Sequence, residues 1–205
     1  MDPNNISLIT IAPFGSWDYS GEAVLSVNKT QYFSQQDNKV GIQYWVLNRF
    51  DPTSAPLFSY FQEANNYKFD TVPPGLDKFV DDDYIIIVAT QGIFITQVPQ
   101  GALYQFLVKI GAGSQLEMLE QLNTYYACGF TGKVGYTLIT VPSTQDSGIE
   151  SGAIPHSVYV SNSSQQKQYG SATYPGGMLV AQLVPTEYDG KKIYTPVLTS
   201  KQSVY

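Results

Sequence analysis

Residues 83–90 read Asp-Tyr-Ile-Ile-Ile-Val-Ala-Thr, the most apolar run in the chain. A continuous β-branched run bounded by polar residues predicts a central strand covered on both faces. Upstream, Gly41-Ile-Gln-Tyr-Trp-Val-Leu47 places Ile42, Tyr44 and Val46 on one face and Trp45 and Leu47 on the other, so it predicts a second strand buried on both sides. Pro52 and Pro56 stop that strand, and the alternation Leu57, Ser59, Phe61 gives it a hairpin partner over Leu57–Phe61. Downstream, Ala102, Leu103, Phe106, Leu107 and Ile110 recur at spacings of three and four between Pro99 and Gly111, which predicts an amphipathic helix over 100–110. Ser114 and Glu117 have capping-box spacing and open a second helical stretch to Leu122.

Working outward, Ile6–Ile11 and Ala23–Val27 read as strands either side of a loop carrying Trp17 and Tyr19, with Gln31–Phe33 after an Asn28-Lys29-Thr30 turn. Pro73-Pro74-Gly75 opens a helical turn over Leu76–Val80. Tyr125–Phe130 and Tyr136–Val141 read as returning strands. After Pro142 the chain becomes rich in Ser, Gly and Gln, with strand candidates at 157–160, 178–184 and 193–198 and a long polar loop over 161–177. The expectation is an α+β, mainly β fold: a β-sandwich with short helices packed at its side. Residues 1–22 form an arm or first strand, 23–141 the main domain and 142–205 a β-rich C-terminal extension.

Composition narrows the function. The 205 residues carry 11 Lys+Arg against 17 Asp+Glu, a net charge of −6, the wrong sign for a partner held through phosphates, so no nucleic acid is expected. One cysteine, Cys128, excludes an intramolecular disulfide, and with the single His156 it excludes zinc sites needing two or more His/Cys ligands. No run reaches the roughly 18 apolar residues of a membrane span and residues 1–10 lack a basic signal-peptide start, so a soluble chain without membrane insertion is expected. Asn, Gln, Ser and Thr total 59 against 28 charged residues, and there are 16 Tyr. Such a surface suits extracellular or virion proteins covered by neighbours, because tyrosine supplies contact area at low entropic cost.

The search for chemistry gives little. Asp81-Asp82-Asp83 lacks the spaced ligands of a calcium loop and reads as a solvated turn beside an aggregation-prone strand. His156 with Ser157 or Ser151 has no nucleophile-elbow sequence around it. Gly111-Ala-Gly113-Ser114 lacks the lysine of nucleotide loops and reads as a helix-to-helix connection. Cys128 reads as a core residue, and Asn5, Asn28 and Asn162 sit in sequons that an Asn/Ser/Thr-rich chain produces by chance. No catalytic residue, metal or cofactor is expected. Trp17, Tyr19, Tyr125, Tyr169 and Tyr174 are the candidate partner- or glycan-contacting aromatics.

In the order of its pieces, the chain resembles the interleukin-like EMT inducer domain, also called the PANDER-like domain. The pieces are Gly41–Pro52, Phe58–Gln62, Leu76–Thr90, Leu107–Ser114 and Cys128–Gly132, so the likeness covers about residues 23–141. The resemblance implies a β-sandwich with side helices and a protein that binds or signals rather than catalyses. The chain departs from the family in having one cysteine, in Gln91-Gly92 where an acidic pair follows the central strand, and in Thr124-Tyr125-Tyr126 where the family has Arg and Trp. Composition and resemblance together lead to a non-enzymatic structural or interaction protein of a large assembly, a phage-like tail, baseplate or fibre component located in the virion. Its expected partners are other virion or assembly proteins and further copies of itself, with a surface glycan as an additional ligand. The alternative is a freestanding extracellular module that binds a glycan or a receptor.

Overall fold

The structure, a computed structural model, describes residues 8–16, 22–34, 38–126, 133–143, 148–153 and 177–203, with side chains described except at 125–126 and 200–203. Among the described residues ten strands form two five-stranded antiparallel sheets. In chain order they are β1 (Ile9–Gly15), β2 (Val24–Val27), β3 (Thr30–Phe33), β4 (Gly41–Asn48), β5 (Phe58–Glu63), β6 (Tyr84–Gln91), β7 (Gly135–Thr140), β8 (Ile149–Ala153), β9 (Gly177–Tyr188) and β10 (Lys191–Ser203). Helices α1 (Gly101–Lys109) and α2 (Ser114–Tyr126) lie between β6 and β7. The first sheet has the order β10-β9-β1-β2-β3 and the second β5-β4-β6-β7-β8.

The 83–90 run becomes β6, the middle strand of the second sheet, and its two faces feed two cores. Ile85, Ile87 and Ala89 join Trp45, Leu47 and Ile139 against Ile11, Leu25, Leu179, Ala181 and Leu183 of the first sheet. Ile86 and Val88 join Ile42, Tyr44, Val46, Tyr136 and Leu138 against Leu103, Leu107, Leu116 and Leu119 of the helices. The second sheet is therefore the middle of three layers, which explains why β4, β6 and β7 are buried almost without a break. Among the described residues the first sheet is packed on one face only, and β1 accordingly alternates strictly between buried and half-buried positions.

Both ends of the sandwich are fastened. At one, β1 reaches the second sheet: the Gly92 N–H donates to the Ser16 carbonyl at 2.8 Å, and Thr137 Oγ1 donates to the Gly177 carbonyl at 2.7 Å. A Cβ on Gly15 would stand 2.7 Å from the Tyr136 carbonyl oxygen, so the two sheets meet here only because that position lacks a side chain. At the other end the buried Arg49 donates from Nε to the Tyr194 carbonyl at 2.9 Å, from one Nη to the Asp82 carbonyl at 2.8 Å and from the other to Thr195 Oγ1 at 3.0 Å.

Two expectations need correction. Tyr125 and Tyr126 close α2 rather than open a strand, because the buried Leu116 and Leu119 and the packed Leu122 set a helical repeat that the following residues continue. Residues 149–153, Ile-Glu-Ser-Gly-Ala, form β8, although their small and polar composition reads as loop. The C-terminal stretch supplies β8 to the second sheet and β9 and β10 to the first, with β9 paired directly to β1. The strand candidate at 157–160 lies outside the described residues.

Candidate functional site

The sequence-selected aromatics Trp17, Tyr19, Tyr169 and Tyr174 lie outside the described residues, as do Cys128 and His156, and Tyr125 is placed only by its backbone in α2. The other candidates resolve into structural roles. Asp81 Oδ1 accepts the Asp83 N–H at 3.2 Å, and Arg49 holds the Asp82 carbonyl, so the acidic run is a closed turn at the start of β6. Among the described residues no group of three His, Cys, Asp or Glu stands close enough to hold a metal. The N-terminus of α2 already has its anion: Glu150 Oε2 accepts the Gln115 N–H at 3.1 Å while Glu150 Oε1 accepts the Tyr136 hydroxyl at 2.5 Å. Ser151 is buried in β8, and its hydroxyl has no hydrogen-bond partner among the described residues.

A surface groove of about 670 Å³ opens where β4 begins and β5 and β6 end. Asn38, Lys39 and Val40 lead into β4 on one side, and Glu63, Ala64 and Tyr67 leave β5 on the next. Phe94, Thr96 and Gln97 come from the segment following β6. Its walls are set by hydrogen bonds from the core. The buried Gln91, last residue of β6, donates from Nε2 to the Lys39 carbonyl at 2.9 Å and accepts at Oε1 from the Ala23 N–H at 3.2 Å, with Ser34 Oγ bonded to the same oxygen. This one amide ties the entry to β4 to the first sheet. Its lack of charge suits the position, since a carboxylate could not also donate to Lys39.

Tyr67 is the most unusual wall residue. Asn65 and Lys68 exchange both backbone hydrogen bonds, at 3.0 and 2.9 Å, around Asn66 at φ 49° and Tyr67 at φ 63°. This is a two-residue type I′ turn, in which the second central position ordinarily carries glycine. Here it carries a tyrosine whose side chain is 83% exposed. Bulky residues rarely accept positive φ, and exposing a large ring to water contributes nothing to folding.

The opposite wall is held by Gln97. Its Oε1 accepts the Phe94 N–H at 2.9 Å and closes a 3₁₀ turn over Ile95–Gln97. That bond fixes which end of the amide is oxygen, and the Nε2 group has no hydrogen-bond partner among the described residues. Lys133 Nζ lies 5.8 Å from the centre of the Phe94 ring. Lys39 and Glu63 form an ion pair at the rim, both half exposed. The groove thus combines two aromatic rings, a pre-oriented amide donor and a self-neutralised charge pair on a chain of net charge −6. Such a surface favours a neutral ligand with hydroxyl or amide groups over an ion.

Sequence reasoning missed this site because its residues come from three separate turns. The available signal was Asn65-Asn66, a turn pair followed by Tyr where Gly is usual. No family model matches the chain, and no curated protein matches it.

Proposed function

We propose that this protein is a non-catalytic binding module, with the groove at the end of the second sheet as the contact surface for a saccharide. The observation that carries the reading is Tyr67: an exposed aromatic ring kept at positive φ on a turn that glycine would serve better. Strain of this kind persists where a function uses the side chain. A pyranose ring stacked on Tyr67, with its hydroxyls reaching Gln97 Nε2 and the Lys39–Glu63 pair, matches the groove in charge and polarity. The groove is open and holds no described nucleophile paired with a base, so recognition fits it better than turnover.

The setting favoured by composition is a large extracellular or virion assembly, a phage-like tail, baseplate or fibre component that presents this module to a surface glycan. The freestanding module is the same chemistry without the assembly. A glycan array followed by titration calorimetry tests the binding. Wild-type protein is expected to hold at least one saccharide class, and Tyr67→Ala to lose affinity by tenfold or more. Absence of binding across the array, or equal affinity in Tyr67→Ala, would sink the reading.

A further inference from the structure

A five-stranded open sheet has two edges, so the described sandwich has four, and three of them carry features that discourage further pairing. On β10, the N–H and carbonyl of Tyr194 face away from β9 and are both bonded to Arg49. Two residues on, the same edge meets Pro196, which has no N–H, and a bulge follows between Leu198 and Ser200. On β8, the Gly152 N–H is taken by Gln115 Oε1 at 3.3 Å. Strand β3 has only four residues and is mostly exposed.

The remaining edge, β5, carries none of these devices. Leu57-Phe-Ser-Tyr-Phe61 contains no charge and no proline, and its residues are of the types that favour strands. Its outward backbone edge makes no hydrogen bond to any described residue beyond β4. Leu57 is 51% exposed and Tyr60 36%. Phe58 stacks on Tyr60 with ring centres 6.0 Å apart and touches Phe79 at 5.7 Å, and Phe79 meets Tyr84 edge-on at 4.9 Å. An aromatic row therefore runs to the free edge and stops there.

We infer that β5 pairs with β5 of a second copy of this chain, antiparallel about a two-fold axis through Ser59, joining the two second sheets into one of ten strands. A two-fold axis perpendicular to the sheet keeps like faces on the same side, so it must pass through a residue rather than between two. Centring it on Ser59 confines the pairing to residues 57–61 and spares Gln62, which is already bonded through Nε2 to the Thr71 carbonyl at 2.8 Å. The register sets Phe58 opposite Tyr60 of the second copy, twice, and continues the aromatic row across the axis. It brings no charged side chain opposite another. Because a two-fold contact uses the same edge of both copies, pairing ends at the dimer instead of growing into a filament. A second copy is favoured over a foreign strand because the aromatic pairing is self-complementary.

Sedimentation equilibrium of the full chain over a concentration series tests this. The wild type is expected to reach twice the 22.6 kDa chain mass, and dimerisation to strengthen with salt as repulsion between two chains of net charge −6 is screened. Ser59→Lys and Ser59→Glu alter an exposed position. Each alone is expected to weaken dimerisation tenfold or more while circular dichroism stays unchanged, and an equimolar mixture to recover a mixed dimer. A monomer at every concentration overturns the inference. So does a dimer that both variants leave intact, or a mixture that recovers nothing.

Discussion

At the scale of single residues, Tyr67 sets stability against use. A tyrosine in the left-handed region costs about 1 kcal/mol relative to a residue that tolerates it. Replacing it by glycine restores the Asn-Gly sequence favoured in type I′ turns. Tyr67→Gly should raise the unfolding free energy by about 0.5 kcal/mol in urea titration, after the added freedom of the unfolded chain is subtracted, and should abolish saccharide binding. A loss of stability instead would show that the ring packs more than its exposure suggests. Tyr136 and Tyr44 supply a second residue-level test. Burial pushes both hydroxyls well above the ordinary tyrosine value, with Glu150 as a further cause at Tyr136 and Tyr60 at Tyr44. Because the folded-state values lie above the unfolded one, the folded protein keeps these protons after the unfolded chain has lost them. The stabilisation is fully present below about pH 10 and declines as pH rises through the folded values, by about 1.4 kcal/mol per pH unit for each group. Tyr136→Phe should lower stability at neutral pH by about 1 kcal/mol through loss of the bond to Glu150, and should also flatten the alkaline decline. Stability measured from pH 8 to 11 reads both effects.

At the scale of elements, the hairpin of β9 and β10 shows how a long arm is kept in place. β9 runs beyond the described start of β1, and residues 184–195 have no strand of the first sheet on their other side among the described residues. Pro185 and Tyr194 face each other there, with the turn Asp189-Gly190 at positive φ at the tip. The arm is fastened by Arg49, which gives it two side-chain hydrogen bonds and a backbone carbonyl that accepts the Tyr194 N–H, while a third side-chain bond to the Asp82 carbonyl anchors the guanidinium. Arg49→Met keeps most of the volume and removes the donors. It should cost about 3 kcal/mol, the scale of hydrogen bonds from a buried charged group, and amide exchange should quicken over 191–195 before the rest of the first sheet. Uniform acceleration across the molecule would place the loss in the core instead. The helices were legible for an equally local reason: Leu103, Leu107, Leu116 and Leu119 sit at helical spacing and all are buried. Strand β8 was not legible, because Ile149–Ala153 owes its extended form to pairing with β7 and to the bonds of Glu150 and Gly152 with Gln115 at the start of α2.

At the scale of the whole molecule, the middle sheet couples the two cores, since the same strands β4, β6 and β7 face both. Thermal unfolding should therefore be one transition with equal calorimetric and van't Hoff enthalpies. The C-terminal stretch takes part in the core between the two sheets. A chain ending at Val141 loses β8, β9 and β10, and with them Leu179, Ala181 and Leu183 from the sandwich interior and the partner of β1. It should fail to give a cooperative transition by calorimetry. A truncated chain that unfolds sharply would mean that residues 23–141 hold together without the pairing of β9 to β1. Among the described residues no helix is long and apolar enough to cross a membrane.

By itself the sequence determined which segments are doubly buried, because an uninterrupted β-branched run such as 85–88 has only one way to leave water on both faces. It likewise determined the first helix, the start of the second and the hairpin of β4 and β5, each encoded within one short stretch of chain. Only the tertiary structure decided which strands are neighbours, because β9 joins β1 across most of the chain and that choice rests on complementary faces, not local propensity. It also decided the site. Asn38–Val40, Glu63–Tyr67 and Phe94–Gln97 are separate turns in sequence, and they meet only because β4, β5 and β6 end side by side.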